Sequence, residues 1–187
     1  MNKKENQRAR ITKIMLKNAM LDLMQEKPVE KITIKEICER SELNRSTFYL
    51  HYNEPNDLLK SIEDEIIENT SDYLEKIGAG INDSAVHYIC SFLNYIKEND
   101  KLFRTMLIKR ENPFFKKKFV KISLEKIISS LNCTADESLK KYIYGYAVNG
   151  CLSVIIEWME SGYKLPEQDI VSLLFNLSKG TLGYYVV

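Results

Sequence analysis

Histidine is nearly absent from this 187-residue chain, which contains only His51 and His87. Neither has a second histidine or a carboxylate cluster at ligand spacing, so no metal site is expected. There is no Gly-x-Gly-x-x-Gly or Gly-Lys-Ser/Thr string to cradle a phosphate, and no nucleophile–base pair can be read. An enzyme is therefore not expected, and no cofactor is implied. Cysteine is scarce and scattered: Cys38, Cys90, Cys133 and Cys151 show no CxxC spacing. They read as reduced, buried thiols in a cytoplasmic protein rather than as a disulfide framework. No apolar run approaches membrane-spanning length. The basic N-terminus leads into an amphipathic pattern rather than an uninterrupted apolar stretch, so no secretory signal is expected. No segment sustains a period of two, and no Asn-Gly or Asp-Gly hairpin turn joins two such segments. The fold class is all-α.

Net charge is only +1. Affinity for a polyanion would need local charge, and the chain has it. Residues 1–17 hold Lys3, Lys4, Arg8, Arg10, Lys13 and Lys17 against Glu5 alone. Residues 54–75 hold eight acids and one base, Lys60. This contrast identifies the end of the chain able to face phosphates. The first basic residues form either an arm that reaches DNA or a solubilising tail. A second basic stretch, residues 101–126, has nine basic residues and two acids, including Lys116, Lys117 and Lys118. It reads as a solvated helix face, or more sharply as a surface for an anionic effector or an acidic protein.

Helical spacing of Ile11, Ile14, Met15, Ala19, Leu23 and Met24 predicts a first helix from Arg8 to Glu26, closed by Pro28. Thr33 and Glu36, three apart, make a capping box for a second helix with Ile34, Ile37 and Cys38 facing inward. Ser41-Glu42-Leu43 makes a turn. Asn44 caps a third helix over 45–52, with Phe48 inward. Two short helices joined by a tight turn, with small polar, basic and aromatic side chains opening the second, form a helix-turn-helix able to enter a major groove. Pro55 opens a fourth helix, and the domain boundary is placed there: 1–53 for DNA binding, 54–187 for a larger helical domain.

Beyond that boundary the pattern predicts helices over about 84–97, 101–109, 115–131, 139–160 and 167–180. The helix over 139–160 is apolar on two faces, one through Ile143, Ala147, Gly150, Val154 and Trp158, the other through Tyr144, Val148, Cys151, Ile155 and Met159. Such a helix is buried on both sides. With the helix over 167–180 it predicts a homodimer through a four-helix bundle. Tyr73, Tyr88, Phe92, Phe103, Met106, Tyr146 and Trp158 either line a cavity or fill the core.

The strings Thr33-Ile-Lys-Glu-Ile-Cys, Ser46-Thr-Phe-Tyr-Leu-His-Tyr52 and Asp57-Leu-Leu resemble the TetR family of bacterial transcriptional regulators, with a C-terminal region similar to that of Firmicutes members. The resemblance implies about nine helices, a homodimer on a palindromic operator, and a C-terminal domain whose occupancy by an unidentified effector releases DNA. Repression is the commoner role. The alternative is a C-terminal domain that binds a protein coactivator instead of a small molecule. Two positions depart from the pattern. Many relatives have glycine in the turn where this chain has Glu42, and ordinary backbone angles are expected here. Many also have a phosphate-binding lysine where this chain has Pro55.

The DNA-contacting residues are Thr33, Lys35, Asn44, Arg45, Ser46, Thr47, Tyr49 and His51. Arg45 suits bidentate pairing with guanine. The resemblance assigns Thr47 to a phosphate or thymine methyl and the Tyr49 hydroxyl to a phosphate. Neutral His51 can donate to a phosphate. Thr33 and Lys35 open a helix whose N–H groups and dipole favour one.

Overall fold

The computed structural model describes residues 3–78, 83–108, 113–130 and 134–185. Cys133 and the last residue of the helix expected over 115–131 lie outside that set, as do the side chains of Lys3 and Lys4. Nine α-helices and no strand occur among the described residues. They are α1 (Lys3–Glu26), α2 (Ile34–Ser41), α3 (Arg45–Tyr49), α4 (Pro55–Gly78), α5 (Asp83–Glu98), α6 (Asp100–Phe103), α7 (Pro113–Ser130), α8 (Glu137–Glu160) and α9 (Glu167–Leu182). The chain divides into two compact units, Met1–Ile66 and Ile67–Val187, and the division falls inside α4.

In the first unit, α1 packs on α2, and α2 on α3. Leu16, Met20, Ile37, Phe48, Leu58 and Ile62 are sealed from solvent. Two ion pairs fasten α2 to α1: Lys27 with Glu36, and Arg40 with Glu26 at 2.7 Å. Ile11 and Ile14, which begin the apolar spacing of this helix, are 51% and 45% exposed. The cause is length. The 24 residues of α1 span about 36 Å, whereas the eight of α2 span about 12 Å, so the buried stripe of α1 begins only at Leu16.

Both expected caps form. Thr33 and Glu36 complete the capping box, with the Glu36 N–H donating to Thr33 Oγ1 and the Thr33 N–H to Glu36 Oε2. Glu42 overturns the expectation of ordinary angles, since it sits at φ 56°, ψ 31°. The reason is the way α2 stops. The Leu43 N–H reaches back to the Cys38 carbonyl at 3.0 Å, and the Glu42 N–H to that of Glu39 at 3.4 Å. That pair of bonds requires a left-handed residue just after the helix. A side chain there costs about 1–2 kcal/mol, partly offset by the extra freedom glycine has when unfolded. Glu42→Gly is therefore expected to stabilise the first unit by about 0.5–1 kcal/mol. Urea unfolding checks this, and an unchanged or lower midpoint counts against it.

α3 ends at Tyr49, earlier than the sequence implied. The Phe48 carbonyl accepts from both His51 and Tyr52 N–H groups, which turns the chain toward α4. Pro55 occupies the first position of α4, and Asp57 accepts the Asn53 N–H at 3.0 Å.

In the second unit, α5, α7, α8 and α9 pack around Leu93, Ile96, Phe103, Met106, Phe115, Tyr144 and Met159. The helix expected over 101–109 is broken. α6 gives way at Arg104 to a wide π turn, Arg104–Ile108. Thr105 bonds the Lys101 carbonyl through its side chain at 2.6 Å, a competitor of the backbone ladder. Arg104 grips Asp100 with its Nε, at 2.7 and 2.9 Å to the two carboxylate oxygens, and also donates to the Met159 carbonyl. Tyr163, at φ 60° in the turn after α8, donates its hydroxyl to the same Asp100. Trp158 packs edge-on against the Tyr163 ring and donates its indole N–H to the Leu165 carbonyl. The start of α6 is thus clasped to the turn between α8 and α9.

Candidate nucleic-acid interface

α3 has five residues, too few to be helical alone, and two side chains fix it. Phe48, fully buried, holds it from below, with Tyr49 and Tyr52 rings 5.9 Å away. Asn44 holds its start. Asn44 Oδ1 accepts from the Thr47 N–H at 2.7 Å, from the Ser46 hydroxyl at 2.6 Å and from the Thr47 hydroxyl at 2.8 Å.

That geometry sorts the residues. Arg45, Ser46 and Tyr49 are exposed and Thr47 is half-buried. The hydroxyl protons of Ser46 and Thr47 are engaged with Asn44, so each offers outward only lone pairs, and Thr47 its methyl. Arg45, Tyr49, half-buried His51 and the exposed Asn44 Nδ2 are left as donors for bases or phosphates. Asn44 caps the helix through its Oδ1. Leu50, 79% exposed directly after Tyr49, escaped the sequence analysis. Its signal was an apolar residue at the end of a helix whose inward side Phe48 already fills. It is suited to a thymine methyl.

At the start of α2, Thr33 and Lys35 are exposed, but the Glu36 carboxylate already takes the Thr33 N–H and hydroxyl. The N–H groups of Ile34 and Lys35 are the ones the capping box does not use. The Lys35 ammonium lies 3.7 Å from Glu39, a loose exposed pair that an incoming phosphate can replace. The Lys27 ammonium, followed by the Thr33 hydroxyl and N–H, lowers the Glu36 carboxyl to about 2, from a usual value of 4.5. The folded value lies below the unfolded one. The stabilisation is therefore complete above about pH 4.5 and is lost as pH falls toward 2. Carboxyl-carbon NMR is expected to place the Glu36 midpoint near 2, and Glu36→Gln to abolish that part of the acid sensitivity. A midpoint above 4 rules the arrangement out.

The second unit contains a partly open space of about 130 Å³ lined by α4, α5, α6, the π turn after it, α7, α8 and α9. Of the aromatic residues that could line it, Phe92 and Phe103 do. Met106 and Trp158 are core, Tyr73 stacks on Tyr95, and Tyr146 is 72% exposed. The polar lining is sparse. The Ser123 hydroxyl donates to the Phe119 carbonyl, and Cys151 Sγ lies 3.6 Å from Ser178 Oγ. Burial pushes the Cys151 thiol up, which makes it a poor nucleophile.

Large apolar side chains stand exposed on α8 and α9: Leu139, Tyr142 and Tyr146, and Leu173 and Leu177. Gly150 and Gly180 also lie on exposed helix surface, and a methyl group at either would meet nothing in this chain. Each glycine in a helix costs about 1 kcal/mol relative to alanine.

Residues 83–180, just over half of the chain, match the TetR-type family model described as "Transcriptional regulator C-terminal region". No curated protein sequence matches significantly. Among solved structures, the dihydroxyacetone kinase operon activator DhaS is similar at 20% identity and TM-score 0.62, covering 95% of this chain and 99% of that one. A TetR transcriptional regulator from Streptococcus agalactiae 2603V is similar at 21% identity and TM-score 0.64, covering 92% and 96%. SmeT in complex with triclosan is similar at 16% identity and TM-score 0.70, covering 95% and 92%.

Proposed function

Because the chain belongs to the TetR family of transcriptional regulators, we propose that it binds a palindromic operator as a homodimer, represses, and is released when an effector occupies the C-terminal domain. DNA reading is assigned to residues 1–53, and effector binding and dimerisation to 54–187. The observation that carries the reading is α3 itself, a capped and wedged helix that presents Arg45, Tyr49 and Leu50 to solvent. A large apolar Leu at 79% exposure has no reason within the chain.

Arg45 reads a guanine, Leu50 and the Thr47 methyl meet thymine methyls, and Tyr49, His51 and Lys35 position the backbone. Thr33 acts through its cap. Pro55 has no N–H and no charge, so the start of α4 supplies no cation to a phosphate. This predicts a salt slope shallower by about one unit than that of a lysine-bearing relative. The exposed, partly apolar faces of α8 and α9, with Gly150 and Gly180 open for close approach, support pairing with a second copy.

A protein coactivator is the second reading. It is favoured by Lys116 and Lys117, exposed on α7 with no carboxylate paired to them among the described residues. Selection from random duplex DNA, followed by salt titration on the winning sequence, tests the first reading. The expected result is a two-fold symmetric site bound with steep salt dependence. Weak binding that ignores sequence, relieved only by an added acidic protein, favours the second.

A further inference from the structure

Resting on the effector reading above, the geometry points to a compact, uncharged, apolar molecule of roughly benzene size as the occupant of the cavity in the C-terminal domain. The volume is about 130 Å³, close to that of the apolar protein cavities of about 150 Å³ that stay dry and take up benzene. Phe92, Phe103, Leu152 and Ile155 give it apolar walls, and none of its described lining residues carries a charge. A carboxylate or ammonium entering here would lose its hydration and find no counter-ion, so charged ligands are excluded.

One polar point remains. Ser178 on α9 faces Cys151 on α8 at 3.6 Å. A thiol is a weak hydrogen-bonding partner, so the Ser178 hydroxyl can turn to a single hydroxyl or carbonyl on a ligand. Ser123 offers less, because its proton is engaged with Phe119. The occupant therefore carries at most one neutral hydrogen-bonding group.

The probes are toluene, phenol and benzoate, which share a ring and differ in polarity and charge. Binding to the full-length protein is followed by methyl-detected NMR, and operator binding is measured in parallel. Toluene and phenol are expected to bind and to shift resonances of cavity residues. Benzoate is expected to bind at least a hundredfold more weakly. Ala147→Phe, which fills the space, is expected to abolish toluene binding. Ser178→Ala is expected to weaken phenol several-fold while sparing toluene. Saturating toluene without any shift in the unmodified protein, or benzoate binding as tightly as toluene, overturns the inference, and neither result needs a variant to fold. If toluene binds and the operator complex is unaffected, the ligand class stands and release by an effector falls. If the ligand-free protein ignores DNA altogether, the regulator reading falls and the cavity result is untouched.

Discussion

Replacing Leu173 and Leu177 together by aspartate is expected to turn the proposed dimer into a folded monomer. Both leucines lie on α9 and are nearly half exposed, at 41% and 48%. They share that helix with Gly180, whose missing side chain leaves open space. A two-fold interface uses each residue twice, so the double substitution removes four leucines from the dimer. Fully burying a leucine is worth about 1.5–3 kcal/mol, and somewhat under half of each is left to bury, which puts the loss near 3–5 kcal/mol before the added charge is counted. The dimer dissociation constant is expected to rise at least about a hundredfold. Sedimentation equilibrium reads this directly, with helical content by circular dichroism as the control for folding. The monomer would grip only one half of a symmetric operator and lose the gain from linked sites. A variant that remains dimeric at micromolar concentration sinks the assignment of α9 to the interface.

The second large effect separates two basic residues that look alike in composition. Arg45→Ala is expected to cost about 1–3 kcal/mol on the preferred operator and little on other sequences, so preference relaxes at one base position per half-site. Lys35→Ala is expected to weaken binding to every sequence and to flatten the salt slope by about one unit per half-site. The contrast follows from position. Arg45 is the first residue of α3, the helix proposed to read the groove, whereas Lys35 lies beside a capping box whose carboxylate already serves the neighbouring N–H. Binding of both variants to the selected operator and to a scrambled duplex, across several salt concentrations, resolves the two roles. Unchanged affinity in both removes α2 and α3 from the interface.

Much of the fold was legible because its signals are local. A threonine three residues before a glutamate, an asparagine before Arg45 and a proline at the head of α4 fix helix starts through bonds within four residues. What escaped depends on longer reach or on bond choice. The apolar spacing of α1 is real, yet whether Ile11 is covered depends on how far α2 extends beside it. Glu42 carries no mark of its left-handed backbone, because the demand comes from the way α2 closes on Leu43. The site residue types could be read, but not the engagement of Ser46 and Thr47 with Asn44, since a hydroxyl beside an asparagine can bond several ways. The π turn at Arg104 arises from side-chain bonds to Lys101 and Asp100 that compete with the helix ladder. A cavity is a shortfall in packing among six helices, and no window of sequence reports it.

The shortness of α3 has a thermodynamic consequence. Five residues cannot hold helical order by themselves, so its shape is borrowed from Phe48 in the core and from the Asn44 cap. Recognition and the integrity of the N-terminal unit are then one cooperative property. On warming, operator affinity will not decline gradually through a loosened reading head. It will vanish over the same few degrees in which Phe48 leaves the core, and the operator, by binding only the ordered form, will raise that temperature in proportion to the logarithm of its concentration.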